Sequence, residues 1–299
     1  MNRAILSIGT NSTRALVARF DGRAPRIILR RSTGTRVGEG LKESGHLGAV
    51  PMRRTLDAIV DHYEAIRGES AGLVAIATSA LRRADNAGEF VEAVRSIIGT
   101  DVAIVDGEDE ARYSFLGAVA AIPGNGRFGV VDTGGGSTEY ATGMRGAVDR
   151  TVSCEIGAVR LTEAFPVLAG DRGAIDDRSL RIAAERSRIA LAPIGTFAAV
   201  DRLAFVGGSA TTTAAILRGN RDIFETFELS RGDLKGVLER LRSLPLSDRK
   251  RLSGINPQRA DILLGGLIVL DAAFELTGRE RAAVTTSDLL FGYLLQHFT

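Results

Sequence analysis

The sequence has little of what builds a disulfide framework or a histidine metal centre. Its 299 residues include one cysteine, Cys154, which excludes an intrachain disulfide and is typical of a reducing compartment. The three histidines, His46, His62 and His297, are far apart and show no metal-ligand spacing. These absences predict a cytoplasmic protein without a histidine-based metal motif.

Long apolar runs are also missing. The longest candidate, residues 263–273, is shorter than the roughly 18 residues that span a bilayer, and the first residues show no secretory pattern. The net charge of only +2 predicts no duplex nucleic-acid footprint. Lysine occurs three times, so 35 of the 38 basic residues are arginine; arginine suits phosphate binding, but a GC-rich genome explains the excess more simply. We therefore expect neither a membrane nor duplex nucleic acid as a partner.

What is present is the composition of a folded α/β protein. Hydrophobic residues make up 44% of the chain, and the length suits one large domain or two medium ones. Strand-like and helix-like apolar spacings alternate along the sequence, with a glycine-bearing loop expected over 32–48. The predicted strands are 4–8, 14–20, 26–31, 73–77, 102–105, 128–131, 139–142 and 202–206. The predicted helices are 51–66, 87–98, 234–244, 257–276 and 288–298, with others beginning near 108 and 210.

A β-turn-β module occurs twice. Aligning Gly9 with Gly134 also aligns Ser12 with Ser137, and each copy reads as a strand, a phosphate-sized turn of glycine and hydroxyl residues, and a second strand. The second copy follows a cluster of structure-breaking residues at 123–126. We therefore predict two similar α/β domains that face one another across a cleft. The predicted domains are residues 1–123 and residues 124–299.

The second turn has the composition of a site for an anion and a cation. Its three successive glycines let backbone N–H groups approach an anion closely and permit positive φ, so we expect a concave nest. The acids at its two ends, Asp132 and Glu139, could both point toward the turn and bind Mg²⁺, which prefers oxygen ligands, or Mn²⁺. The alternative is a tight glycine hairpin with solvated acids. The full segment is Asp132, Thr133, Gly134, Gly135, Gly136, Ser137, Thr138 and Glu139.

Several segments, in order through nearly the whole chain, resemble motifs of the exopolyphosphatase/guanosine pentaphosphate phosphatase family in the actin/sugar-kinase superfamily. Any one glycine turn would be weak evidence, whereas the ordered set is specific. The chain is similar to the short, two-domain members, which lack the additional C-terminal helical domains of the longer ones. The matching segments are 8–12, 77–82, 107–112, 130–139, 157–162, 207–212 and 259–265.

The resemblance implies two actin-like (ribonuclease H-like) domains, an active site in the cleft between them, and a homodimer. It implies Glu110 as the general base or water-orienting group, and Asp132 and Glu139 as metal ligands. From the residues alone, Glu110 could instead be one of three acids favoured at a helix N-terminus. Arg82 is implied as a phosphate clamp, and its neighbour Arg83 is expected to be a solvated charge. The implied phosphate-binding residues are Gly9, Thr10, Asn11, Ser12, Arg82, Gly134, Gly135, Gly136, Ser137, Thr138, Gly208 and Ser209.

Three places depart from the family pattern. Ser7 stands where the family has an aspartate, and because a hydroxyl carries no negative charge, metal binding would be weaker or would rest entirely on Asp132 and Glu139. Leu290 and Phe291 stand where the family has an arginine and a glutamate, and Arg83 replaces an acid. These changes favour a slower or altered enzyme.

Four functions are compatible with these residues. The first is a Mg²⁺- or Mn²⁺-dependent exopolyphosphatase that releases orthophosphate from the end of inorganic polyphosphate. The second removes the terminal phosphate of guanosine pentaphosphate. The third, motivated by Ser7, is a weakly catalytic sensor of polyphosphate or guanosine alarmones. An ATPase or sugar kinase is disfavoured, because kinases generally place an aspartate as base for a substrate hydroxyl and because 207–211 matches the phosphatases.

Overall fold

Two mixed β-sheets organise the protein in the computed structural model, which describes residues 1–22, 24–170, 173–222 and 224–298. The strands are β1 (Asn2–Ile8), β2 (Ser12–Arg19), β3 (Arg26–Gly34), β4 (Leu73–Ala77), β5 (Val102–Ile104), β6 (Phe128–Thr133), β7 (Thr138–Met144), β8 (Ala147–Cys154), β9 (Arg202–Val206), β10 (Thr226–Ser230) and β11 (Arg281–Thr285). The helices are α1 (Leu41–Ser44), α2 (Ala49–Ile66), α3 (Ser79–Arg83), α4 (Ala87–Ile98), α5 (Gly107–Ala121), α6 (Ala158–Ala164), α7 (Asp177–Ala190), α8 (Gly208–Arg218), α9 (Arg231–Arg242), α10 (Leu246–Arg249), α11 (Leu263–Thr277) and α12 (Leu289–Phe298).

The two sheets share one topology. In the first, the order is β3-β2-β1-β4-β5; β1, β2 and β3 are antiparallel neighbours, and β4 and β5 continue from β1 in parallel. In the second, the order is β10-β11-β9-β6-β7-β8; β6, β7 and β8 are antiparallel, and β9 and β11 continue from β6 in parallel. Strand β10 is an added antiparallel edge. The repeat that two hairpins predict therefore extends to five strands in each half.

The hairpins that begin the two halves are closed by the same turn. In the first half, Gly9 N donates to Ser12 O at 3.0 Å. In the second half, Gly134 N donates to Ser137 O, also at 3.0 Å. This equivalence confirms the duplicated β-turn-β module.

Helix α11 is apolar on most faces because it lies inside the second half. Every residue from Leu263 to Leu270 is buried, as the sequence predicts for a helix without a polar face. It packs against α6, α7, α8 and α9. The chain that leads into α11 is thereby fixed against the cleft described below.

Helices α5 and α12 cross between the two sheets. Helix α5 packs on β6, β7 and β8 of the second sheet, whereas α12 packs on α5 and on β1 and β2 of the first. Both helices have a glycine at the crossing: a Cβ on Gly117 would overlap the Asp288 carbonyl, and one on Gly292 would overlap the Tyr113 carbonyl. This close crossing joins the two sheets. The domain boundary after residue 123, which falls between the two sheets, stays a prediction.

The structure corrects parts of the predicted element pattern. Residues 257–276 are not one helix, because a 3₁₀ turn at Pro257–Arg259, capped by the Asn256 side chain, precedes α11. The predicted loop 32–48 contains the end of β3 and the short helix α1. Strands β8 and β10 escape prediction because they are edge strands with only one fully buried residue each, so their sequences show little apolar alternation. Over the described residues, no helix combines the length and the apolar character that crossing a membrane requires.

Candidate active site

A cleft of about 520 Å³ lies between the two halves, and both glycine turns border it. The fold brings most of the predicted site residues to this one place. Those that line the cleft are Gly9, Thr10, Asn11, Ser12, Glu110, Asp132, Gly134, Gly135, Gly136, Ser137, Glu139 and Gly208.

Two predicted phosphate ligands lie behind the cleft wall. Thr138 is fully buried, and its hydroxyl donates to the Ile156 carbonyl at 2.7 Å. Ser209 is buried against Gly266, where a Cβ would overlap the serine hydroxyl. The family resemblance implied that both contact phosphate, but in this structure both side chains support the wall and neither lines the cleft.

The three glycines of the second turn allow a close approach, and they do not adopt the positive φ that the sequence suggested. None of Gly134, Gly135 and Gly136 has a positive φ. A Cβ on Gly135 would lie 3.2 Å from the Asn11 Cβ, and one on Gly136 would lie 2.8 Å from the Ser79 Oγ. The second turn therefore lies directly against the first half of the chain, and larger residues would push the two apart.

Helix α6 holds this turn from behind. The carbonyl of Gly134 accepts from Ala158 N at 3.0 Å, and the carbonyl of Gly135 accepts from Val159 N at 2.9 Å. Gly157 packs on the same carbonyls, because a Cβ there would lie 2.6 Å from the Gly135 oxygen. The free N–H groups of the first turn of α6 are thus satisfied by the glycine turn. The motif at 157–162 fixes the turn.

The two candidate metal ligands are direct neighbours across β6 and β7. Asp132 pairs in register with Glu139, so both carboxylates leave the sheet on the same face. Ser114 Oγ donates to Asp132 Oδ2 at 2.5 Å, and Ser153 Oγ donates to Glu139 Oε1 at 2.8 Å. Each carboxylate therefore has one oxygen held by a serine hydroxyl.

Both carboxylates lie in surroundings that oppose ionisation. Burial raises the pKa of Asp132 to about 6, and the charge of Asp288 adds to the effect. Burial likewise raises the pKa of Glu139 well above its ordinary value, with further repulsion from Glu110 and Asp132. A cation between the two would relieve this repulsion.

The donor set fits a hard divalent cation that keeps much of its water. Within the described part of the chain, no three Asp, Glu, His or Cys side chains are placed to hold a metal by themselves. Asp132 and Glu139 would supply two oxygen ligands, which leaves the remaining positions to water and phosphate. Mg²⁺ and Mn²⁺ are commonly bound in this way.

Glu110 is a buried acid in the first turn of α5. It is only 7% exposed, so it is not a solvated side chain, although it does lie at the helix N-terminus where acids are favoured. Arg82 forms an ion pair with it, and Arg82 Nη1 also donates to the Val105 carbonyl at 2.7 Å. Burial raises the pKa of Glu110 to about 7, against the lowering influence of Arg82. Arg82, implied as a phosphate clamp, does not line the cleft and is here the counter-ion of Glu110.

Of the arginines that the structure describes, five that were not predicted as site residues line the cleft: Arg14, Arg30, Arg31, Arg221 and Arg259. Arg14 forms an ion pair with Asp288. Arg259 Nη2 donates to Ser12 Oγ at 2.7 Å, and burial, together with the charge of Arg14, lowers the pKa of Arg259 to about 10. The two-hairpin alignment could have found Arg14, because it occupies the position that Glu139 has in the second copy.

Among the described residues, four buried polar atoms at the cleft have no hydrogen-bond partner. They are Asn11 Oδ1, Arg30 Nε, Ser79 Oγ and Thr133 Oγ1, and all four residues line the cleft. A buried polar group without a partner costs about 1–3 kcal/mol, so such groups call for a polar ligand. The two hydroxyls can donate to the oxygens of an anion.

The departures from the family pattern have distinct positions. Ser7 is buried at the cleft, directly opposite Arg14 in the β1–β2 register. Leu290 lines the cleft, while Phe291 packs into the α12 core. Arg83 is half-buried beside Gly136, and burial with the nearby Arg160 lowers its pKa, so the expectation of a solvated charge was wrong.

Comparison with known proteins places the chain in a family. The model of the Ppx/GppA phosphatase family matches residues 16–289, which is most of the sequence. The chain belongs to the Ppx/GppA phosphatase family. This Ppx/GppA chain is 31% identical over 312 residues to Exopolyphosphatase 2 of Mycobacterium tuberculosis, covering 98% of this chain and 97% of that protein.

Two further relatives show the range of the family. The chain is 28% identical over 282 residues to a guanosine-5'-triphosphate,3'-diphosphate pyrophosphatase of Aliivibrio fischeri, covering 91% of this chain but only 54% of that protein. The solved structure of the Aquifex aeolicus PPX-GPPA enzyme matches with a TM-score of 0.83 at 29% identity, covering 99% of each chain. These likenesses confirm the predicted family and its α/β fold with two actin-like halves. The protein is a phosphatase of the class that hydrolyses phosphoanhydride bonds.

Proposed function

We propose that this Ppx/GppA phosphatase hydrolyses the terminal phosphoanhydride of inorganic polyphosphate and releases orthophosphate, with Mg²⁺ or Mn²⁺ as cofactor. The observation that carries the proposal is one cleft in which two apposed phosphate-sized turns meet a carboxylate pair and the buried Glu110. The likeness to Exopolyphosphatase 2 over nearly the full length of both proteins supports polyphosphate as the substrate.

The chain supplies groups for each part of the hydrolysis. Glu110 would take a proton from water as the water oxygen bonds to the terminal phosphorus, and a pKa of about 7 suits a general base. The bond from that phosphorus to the bridging oxygen breaks, and the bridging oxygen keeps the electron pair on the shortened chain. The Ser79 and Thr133 hydroxyls would donate to phosphoryl oxygens. Arg259 would neutralise charge on the rest of the anion.

The metal would be held by Asp132 and Glu139, where it would neutralise phosphoryl charge. The role of the protein there is to keep two carboxylates on one face of the hairpin despite their repulsion. Ser7 adds no charge to this pair, so the second half alone would provide the acidic ligands.

The test is phosphate release from long-chain polyphosphate, guanosine pentaphosphate and ATP, with Mg²⁺, with Mn²⁺ and with EDTA. We expect metal-dependent release from polyphosphate and a loss of at least about 100-fold in Glu110→Gln, the usual cost of removing a general base. Glu108→Gln is the matched control, because Glu108 lies in the same helical turn but is exposed. Unchanged turnover in Glu110→Gln would remove Glu110 from the mechanism.

Guanosine pentaphosphate 5'-phosphohydrolysis is the second candidate. The cleft continues beyond the turns to Thr211, Phe224 and Asn256, which gives room for more than a phosphate chain. The Aliivibrio fischeri relative is named for a guanosine nucleotide substrate. Preferential release from guanosine pentaphosphate would favour this activity, and tight binding of either anion without release would favour a weakly catalytic sensor. A homodimer, a cytoplasmic location and the absence of membrane and duplex nucleic-acid partners stay predictions.

A further inference from the structure

Two serines outside the predicted motif roles contact the two candidate metal ligands. Ser114, on α5, is 1% exposed, and its hydroxyl donates a hydrogen bond to Asp132 Oδ2. Ser153 lies at the end of β8, and its hydroxyl donates a hydrogen bond to Glu139 Oε1. The two contacts come from different elements and reach different carboxylates, so each can be altered without the other.

Each contact restricts the carboxylate that it reaches. An ionised carboxylate has two oxygens and about four lone-pair sites, and it can rotate unless something fixes its plane. For Asp132, Ser114 holds Oδ2, while Oδ1 lies beside Gly207, where a Cβ would come within 2.7 Å of it. Gly207 lines the cleft, so the oxygen that the serine leaves free lies at the cleft wall.

Helix α5 connects both contacts to Glu110. Ser114 follows Glu110 by four residues and therefore lies on the same face of the helix. At the start of the helix, Gly107 packs against Ser153, because a Cβ on Gly107 would overlap that side chain. One rigid element thus places the water-activating acid and meets both hydroxyls that hold the carboxylates.

We propose that Ser114 and Ser153 are positioning residues that orient Asp132 and Glu139 for the divalent cation. The inference rests on the proposed metal-dependent function. Ligating carboxylates are commonly fixed by such outer hydrogen bonds, and losing one of these bonds typically costs about 10–100-fold in metal affinity or activity. Neither serine lines the cleft, so neither touches the substrate.

The experiment measures Mn²⁺ binding to the full chain by electron paramagnetic resonance, with and without orthophosphate and without turnover. The variants are Ser114→Ala, Ser114→Cys, Ser153→Ala and Ser153→Cys; cysteine keeps the side-chain shape with a slightly larger atom and donates poorly. The matched control is Ser187→Ala, because Ser187 is a fully buried helical serine whose hydroxyl donates to the Ala183 carbonyl of its own helix. Melting temperature is followed in parallel.

We expect each alanine and cysteine variant to raise the Kd for Mn²⁺ by about 10–100-fold, with Ser187→Ala unchanged. The metal concentration needed for half-maximal phosphate release should rise in step, while kcat at saturating Mn²⁺ changes less. Folded variants that bind Mn²⁺ as the wild type does would overturn the positioning role and leave the proposed function standing. A wild type that binds no Mn²⁺ even with phosphate would overturn both.

Discussion

Replacing Gly136 by alanine tests whether the two turns must touch for catalysis. The added Cβ would lie 2.8 Å from Ser79 Oγ and 3.0 Å from Thr10 Oγ1, whereas ordinary contact begins at 3.4 Å. Both oxygens belong to side chains of the first half, so the overlap is relieved by rotation of these hydroxyls or by a small separation of the two halves, and either displaces groups that border the cleft. Overpacking of this kind costs typically about 1–3 kcal/mol, which need not unfold the protein.

The expected loss is therefore in rate more than in stability. A misplacement of about 1 Å at a reacting centre can cost about 100-fold, so a shift of several tenths of an ångström should lower kcat by roughly 10-fold or more. Phosphate release gives kcat, and thermal unfolding gives the stability of the same preparations. Gly88→Ala is the control, because Gly88 lies within α4 with no atom near its added Cβ. That change should stabilise by up to about 1 kcal/mol and leave kcat unaltered.

A second substitution makes the prediction stricter. Ser79→Ala removes the oxygen that the new Cβ of Gly136→Ala would meet first. If steric separation is the cause, the double variant should lose less activity than the two single losses combined. A wild-type kcat in Gly136→Ala, or a double variant in which the losses simply add, would refute the requirement for contact between the turns.

Two other changes probe charge. His62 is 1% exposed; its Nδ1 accepts from Arg31 Nε at 3.2 Å, its Nε2 faces the Thr13 carbonyl at 3.2 Å, and burial lowers its pKa below the ordinary 6.5. As the pH falls, His62 of the unfolded chain is therefore protonated before His62 of the folded chain. The stability that neutral His62 contributes is complete above pH 6.5 and is lost as the pH falls toward the lower folded pKa. Urea unfolding should therefore give a lower free energy of unfolding at pH 5 than at pH 8, and His62→Gln should reduce this difference. Arg259→Ala should raise KM for polyphosphate by about 10–100-fold, as expected for a charged hydrogen bond worth about 1.5–3 kcal/mol, and an unchanged KM in steady-state kinetics would contradict that role.

The sequence could predict the fold where local patterning and turn chemistry agree. The strand 73–77, the helix 87–98 and the strand 202–206 have the bounds that were predicted, because a short apolar run or an amphipathic face marks them clearly. The break between residue 259 and α11 could not be read in the same way. The apolar residues of 257–276 continue at helical spacing through the break. The Arg259 side chain, however, donates to Ser12 in the other half of the chain, a contact that the spacing does not show.

The site residues also fall into two groups, those that the sequence indicates and those that only the fold reveals. Backbone-approach residues such as Gly135 and charged residues such as Glu110 stand out in the motifs. Of the two reasons given for the glycines, close approach and positive φ, the second was wrong. Ser114 gives no comparable indication in the sequence. A serine inside a helix reads as an ordinary surface residue until the fold shows that it is buried and donates to Asp132, and that contact depends on how α5 packs on the second sheet.

The duplicated hairpins show how one scaffold can carry two chemistries. Their turns close with the same hydrogen bond, yet the pair that faces across the strands is Ser7 with Arg14 in the first copy and Asp132 with Glu139 in the second. A neutral hydroxyl and a cation therefore oppose two carboxylates across one cleft. If both hairpins carried acid pairs, the repulsion that already raises the pKa of Asp132 to about 6 would be greater. The first hairpin is thus suited to binding the anion, and the second to binding its counter-cation.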